Sequence, residues 1–179
     1  MTPLVPPFLI PRVPPLSRYI SQLARTRRFL GRIATRTAAS EDAMLNGLDE
    51  YQDNVLAFFM NCWHVKDWIK NDDGIESRVR QQVVKAVEAS PTLQICRALA
   101  NGAKHMELRK NEPADRSRAK LAMYTFHHLD DGTVQREYLI KCDDGSHVGV
   151  YDIGCDALRE LRRILDEHQL PLPSGWTDP

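Results

Sequence analysis

The sequence predicts a mainly α fold: a helical bundle of about five helices, with a small three-stranded antiparallel β-meander inserted before the last helix. Three observations predict it. Apolar residues recur at helical spacing from residue 16 to about 108, and again from 155. Between 120 and 151 the period drops to two, broken by Asp130-Asp131-Gly132 and Asp143-Asp144-Gly145, both hairpin turn signals. The 179 residues are 42% hydrophobic and 27% charged, an ordinary composition for one domain with a buried core.

The first fifteen residues hold Pro3, Pro6, Pro7, Pro11, Pro14 and Pro15, which remove backbone donors and fix φ, so an irregular, polyproline-like lead is expected. The folded domain then covers 16–170, and 171–179 is a C-terminal tail. Leu16, Ile20, Leu23, Leu30 and Ile33 make a first amphipathic helix to about Thr35. Ser40 is a suitable N-cap for a second helix running from Glu41 to about Asn71 and stopped by Asn71-Asp72-Asp73-Gly74. Tyr51, Val55, Phe58, Cys62, Val65 and Ile69 form one apolar stripe, and Leu56, Met60 and Trp63 lie outside it. A helix apolar nearly all round is central and packed on more than one side; Lys66, close to the stripe, argues against complete burial.

A third helix spans about Ile75 to Ala89, with Ile75, Val79, Val83, Ala86 and Val87 inward. Ser90-Pro91 gives an N-cap followed by proline at the first helical position. The fourth helix runs to about Leu108, with Ile95, Leu99, Gly102 and Met106 on one side and Arg97, Asn101, Lys104 and His105 on the other. Lys120–His128, Val134–Cys142 and His147–Tyr151 are the three strands. The last helix, about Cys155 to His168, turns Leu158, Leu161, Ile164 and Leu165 inward and is stopped by Pro171.

Formal charge is zero, with 24 basic and 24 acidic residues, but it is unevenly spread. Residues 1–40 contain seven arginines and no acid, and the remaining 139 residues carry a net charge of −7. The basic segment has three readings: contact with nucleic acid or an anionic lipid surface, a targeting segment, or a solvated helix docked on the acidic body. No apolar run approaches the ~20 residues of a membrane span. Cys62, Cys96, Cys142 and Cys155 form no C-x-x-C pair, and they read as reduced thiols of a cytoplasmic protein.

Chemistry concentrates on the second and fourth helices. His64 and Asp67 are three apart and share a helical face beside Met60 and Trp63, where unpaired polar groups are costly. The polar face of the fourth helix is their natural partner, which groups His64 and Asp67 with Asn101, Lys104 and His105, and Arg97 one or two turns away. A polar network of this kind can simply set packing register. A histidine within reach of an arginine and a lysine also suits proton transfer beside a phosphate. His64, Asp67 and His105 would make a two-histidine, one-carboxylate metal set, which Lys104 and Arg97 oppose; no metal or other cofactor is assigned.

The stretches Trp63–Asp72 (WHVKDWIKND) and Ile95–Leu108 (ICRALANGAKHMEL) resemble those of a group of bacterial and phage-associated helical proteins, and their arrangement resembles the HEPN superfamily. The resemblance implies a helical bundle, usually dimeric, and a metal-independent endoribonuclease of a toxin–antitoxin or phage-defence system. Its motif is an arginine followed after four to six residues by histidine, which falls here on Arg97 and His105. Seven residues intervene here, and Ala98 stands where a polar residue is usual. Eight helical steps separate Arg97 and His105 by ~12 Å along the axis.

The remaining candidates have simpler readings. His127 and His128 are adjacent on a strand and point to opposite faces, as expected for a surface strand end. Cys62 and Cys96 read as inert buried thiols. Tyr124, Phe126, Tyr138 and Tyr151 could stack bases or pack against helices. No Gly-rich phosphate loop, serine elbow or HExxH is present. Two function classes follow. One is an RNA-cleaving or RNA-binding protein using His105 as acid/base, with Arg97, Asn101 and Lys104 on phosphate and His64 and Asp67 in support. The other is a non-catalytic interaction module, an accessory or immunity protein, whose cluster is structural; RNA, a second copy of the chain, and a protein partner or antitoxin are the expected partners.

Overall fold

Leu23, Leu30 and Ile33 recur on one side of an arginine-rich stretch, and in the computed structural model they turn inward together, with Tyr19, Gln22 and Thr26. The structure describes residues 17–34, 36–38, 40–41, 48–104, 120–142 and 144–179. Helix α1 (Arg18–Ile33) lays its buried face on α2 (Leu48–Lys70). The basic segment, as far as it is described, is therefore a docked amphipathic helix. Its two buried polar side chains are satisfied: Gln22 Nε2 donates to Asn61 O and Oδ1, each at 3.0 Å, and Thr26 Oγ1 donates to Gln22 O at 2.9 Å.

The start of α1 is capped from elsewhere in the chain. Ser17 makes no side-chain cap bond. Instead the Asp72 carboxylate, in the turn after α2, accepts from the Ser17 hydroxyl and from the Gly74 N–H (3.0 Å) and faces the first N–H groups of α1, those of Arg18 and Tyr19. Burial acts to raise the Asp72 pKa, but these donors outweigh it and hold the carboxyl below its ordinary range.

Helix α2 touches the four other described helices, as its nearly all-round apolar surface predicts. Its expected beginning at Glu41 falls partly on residues 42–47, outside the described ones. Between α1 and α2 lies a strand with no counterpart in the sequence expectation, β1 (Arg36–Ala38). Three residues are too few to show alternation, and pairing with the later hairpin defines them. Helices α3 (Ser77–Ala89) and α4 (Pro91–Lys104) follow; residues 105–108 of the expected fourth helix are outside the described ones.

The hairpin of β2 (Lys120–His128) and β3 (Val134–Lys141) sits where the period of two placed it, before the last helix. Strand β3 is central in a four-stranded antiparallel sheet. β2 runs along one edge, while the other edge takes β1 at its start and β4 (His147–Gly149) at its end. Both turns use one device: Gly132 and Gly145 take φ of 80° and 83°. Asp131 and Asp144 each accept from the N–H and hydroxyl two residues on, Thr133 and Ser146.

The last helix, α5 (Val150–Glu167), begins five residues before the expected Cys155, so Val150 and Tyr151 belong to it and not to a strand. Val, Tyr, Ile and Gly are weak helix formers, but Val150, Ile153, Gly154, Ala157 and Leu158 share a buried face, and packing overrides propensity. The chain leaves α5 through Gln169 at φ 56°, with Leu170 N donating to Leu165 O at 2.9 Å, ahead of Pro171. Residues 171–179 then run along α1 and α5. Tyr19 Oη donates to Pro171 O (2.8 Å), Arg27 to Gly175 O (3.1 Å) while covering the Trp176 ring, and Arg162 pairs with Asp178 (2.6 Å).

Candidate functional site

Helix α2 leaves one sector open. Val55, Phe58, Cys62, Val65 and Ile69 are fully buried, as their stripe predicts, and Phe59 joins them. On the other side Leu56, Met60, His64 and Asp67 are half-buried, and Trp68 is 37% exposed. His64 and Asp67 therefore stand on a face that is not sealed.

On α4 the inward face is rotated from the expected one. Leu93, Cys96, Leu99 and Ala100 are buried, whereas Ile95 is only partly so. Cys96 and Ala100 are small enough for α4 to approach α2 closely. The neighbouring Cys62 and full burial push the Cys96 pKa well up, consistent with an unreactive thiol at Cys96. The rotation brings Arg97, Ala98 and Asn101 to the half-buried margin of α4.

The centre of the described site is Trp63, 8% exposed between two cations. Arg97 Cζ lies 5.8 Å and Lys66 Nζ 4.8 Å from its ring centroid. Each such contact is worth ~0.5–1 kcal/mol near a surface. Lys66 also pairs with Asp67 Oδ1 and Glu88 Oε1, both at 3.2 Å, and Arg97 Nη1 donates to Gln94 Oε1 at 3.4 Å.

Of the sequence candidates, Arg97 thus comes to α2 through Trp63, and Asp67 is engaged by its neighbour Lys66. Asn101 and His64 are each half-buried. His105 and the Lys104 side chain are outside the described residues. Trp63 and Lys66 were not singled out as site residues, although their three-residue spacing already places them together on one face.

Chemically, the arginine and the lysine close over an almost buried indole, and Asp67 and Glu88 offset the lysine's charge, so the arrangement seats α4 on α2. Among the described residues no three His, Cys, Asp or Glu side chains converge as metal ligands. Nor, among them, is any helix long and apolar enough to cross a membrane. A shallow cleft of about 370 Å³ lies beyond Glu88, between the end of α2 and α3, lined by Lys70, Ser77, Arg80 and Lys85 among others. His127 and His128 are exposed, near Glu137 (3.9 Å) and Glu41 (3.0 Å) respectively. Tyr138 packs inward, stacked on Tyr51 of α2 with centroids 5.0 Å apart.

No family model, curated protein or solved structure matches this chain.

Proposed function

We propose that this chain is a HEPN-like, RNA-binding protein that acts as a metal-independent endoribonuclease in a cytoplasmic defence or toxin–antitoxin system. In this reading His105 is the acid/base, Arg97, Asn101 and Lys104 hold phosphate, and His64 and Asp67 support that face. The working unit is a homodimer, and an antitoxin-type protein is the natural partner. The observation that supports it is exposure: His64, Asp67, Arg97 and Asn101 are all accessible in part, and Trp68 stands out into solvent. A purely structural network would be closed over by Trp63 and Trp68.

One observation favours a second reading. Arg97 is already held by Trp63 and Gln94, as a residue that fixes helix register would be. In that reading the chain is a non-catalytic interaction module. Chelator-treated protein incubated with total RNA and tRNA separates the two. Cleavage removed by His105→Ala and by Arg97→Ala, at matched melting temperature, supports the nuclease. Absence of cleavage over a wide protein range favours the module.

A further inference from the structure

The arginines on the surfaces of α1 and α5 differ in their surroundings. On α5 every one has a carboxylate close by: Arg159 has Asp156 at 2.8 Å, Arg162 has Asp166 at 3.3 Å and Asp178 at 2.6 Å, and Arg163 has Glu160 at 2.8 Å and also Glu167. That is how a helix surface keeps charge and solubility without self-repulsion.

Helix α1 is built differently. It contains no acidic residue, and its first turn, where the helix dipole favours acid, begins with Arg18. Arg18, Arg25, Arg28 and Arg32 are all exposed. At ~100° per residue they fall within ~80° of one another, and among the described residues none has a carboxylate within salt-bridge distance. Arg25 and Arg28, and Arg28 and Arg32, are neighbours along the helix, where like charges repel. The contacts they do make leave the charge intact: Arg25 donates to Gln22 Oε1 at 3.1 Å, and Arg32 covers the Phe29 ring at 5.0 Å. Arg27, on another side of α1, is the arginine spent on the C-terminal segment.

Four guanidinium groups over 15 residues make a ridge ~21 Å long, comparable to about six phosphates of one strand at ~3.4 Å each. A bilayer would need an apolar face to insert, and that of α1 is buried against the bundle. We infer that the outer face of α1 is a phosphodiester-binding ridge that holds the backbone of an RNA strand without reading its sequence. The inference rests on the RNA reading above and adds the surface. Gln22 joins the ridge to the site helix, bonding Arg25 on one side and Asn61 of α2 on the other.

The test is fluorescence anisotropy with an uncleavable 2′-O-methyl uridine 20-mer, titrated from 50 to 200 mM salt. The proteins are wild type, the fourfold Arg→Gln variant of the ridge, and the fourfold Arg→Lys variant. The Gln variant is expected to bind at least tenfold more weakly. Its log–log salt slope should be shallower by about 2–3, from ~0.7 per lost contact on a single strand. The Lys variant should retain most of the binding and the slope. If the Gln variant fails to fold, Arg18→Gln/Arg25→Gln and Arg28→Gln/Arg32→Gln should each lose about half of the slope change. Equal binding by wild type and Gln variant overturns the ridge and leaves the RNA reading in place. Binding to 70:30 phosphatidylcholine–phosphatidylserine vesicles but not to RNA overturns both in favour of a lipid surface, and binding to neither overturns both outright.

Discussion

A Cβ placed on Gly154 would stand 2.6 Å from Leu30 Cδ1 and 3.3 Å from the Phe58 ring, so where α5 meets α1 and α2 any residue larger than glycine must displace the Leu30 side chain. Alanine gains ~1 kcal/mol of helix propensity there but overpacks a closed contact, typically at ~1–3 kcal/mol. Gly154→Ala is expected to lower stability by about 1 kcal/mol in urea titration. Leu30→Ala alone should cost ~2–5 kcal/mol. Once Leu30 is shortened, the alanine at 154 should become neutral or stabilising. Strict additivity of the two changes would show that this contact does not set the helix spacing.

Asp72 caps α1 across the bundle, so Asp72→Ala should cost ~1–2 kcal/mol, as loss of a good N-cap does. Its folded pKa lies below the ordinary 3.8. Its contribution is therefore present above that value and is lost as pH falls through the folded one. An acid titration of melting temperature should show a fall below about pH 4 that the alanine variant lacks in part.

At the alkaline end the sign reverses. The Tyr19 phenol is pushed up to about 12, first by burial and then by the charge of Asp72, while it donates to Pro171 O. Its contribution is complete below the ordinary value of 10.0 and is lost as pH rises through about 12. Tyr19→Phe should cost ~0.5–1.5 kcal/mol at neutral pH and flatten the loss between pH 10 and 12 when unfolding is followed by circular dichroism.

Gln169 holds a left-handed φ of 56° at the end of α5. Glycine adopts that conformation without a Cβ penalty. Gln169→Gly is expected to raise stability by ~0.5–1 kcal/mol; a loss in differential scanning calorimetry would mean that the glutamine side chain contributes more than its backbone costs.

Much of the frame was legible in the residues. The all-round apolar surface of α2 announced a central helix, and the two Asp-Gly turns marked the hairpin because each turn is decided locally. The parts decided by tertiary contact were not legible. Arg36–Ala38 becomes a strand only by pairing with Val134–Arg136. Val150–Gly154 becomes helical because its buried face outweighs weak propensities. The rotation of α4, which turns Cys96 and Ala100 inward and leaves Ile95 at the margin, is set by packing against α2, which no periodicity encodes. At the candidate site Arg97 was found from its place on a polar helix edge. Its seat on Trp63, beside Lys66, depends on how two helices are turned toward each other.

The path of residues 171–179 along α1 also has a kinetic side. Tyr19 and Pro171 are 152 positions apart, and Arg27 and Gly175 are 148. At ~5–20 residues per second of synthesis, α1 leaves the ribosome about 8–30 s before the segment that completes its surroundings. Through that interval Arg27 and the Tyr19 hydroxyl stand without these partners, and the contacts close only once residues 171–175 have been made.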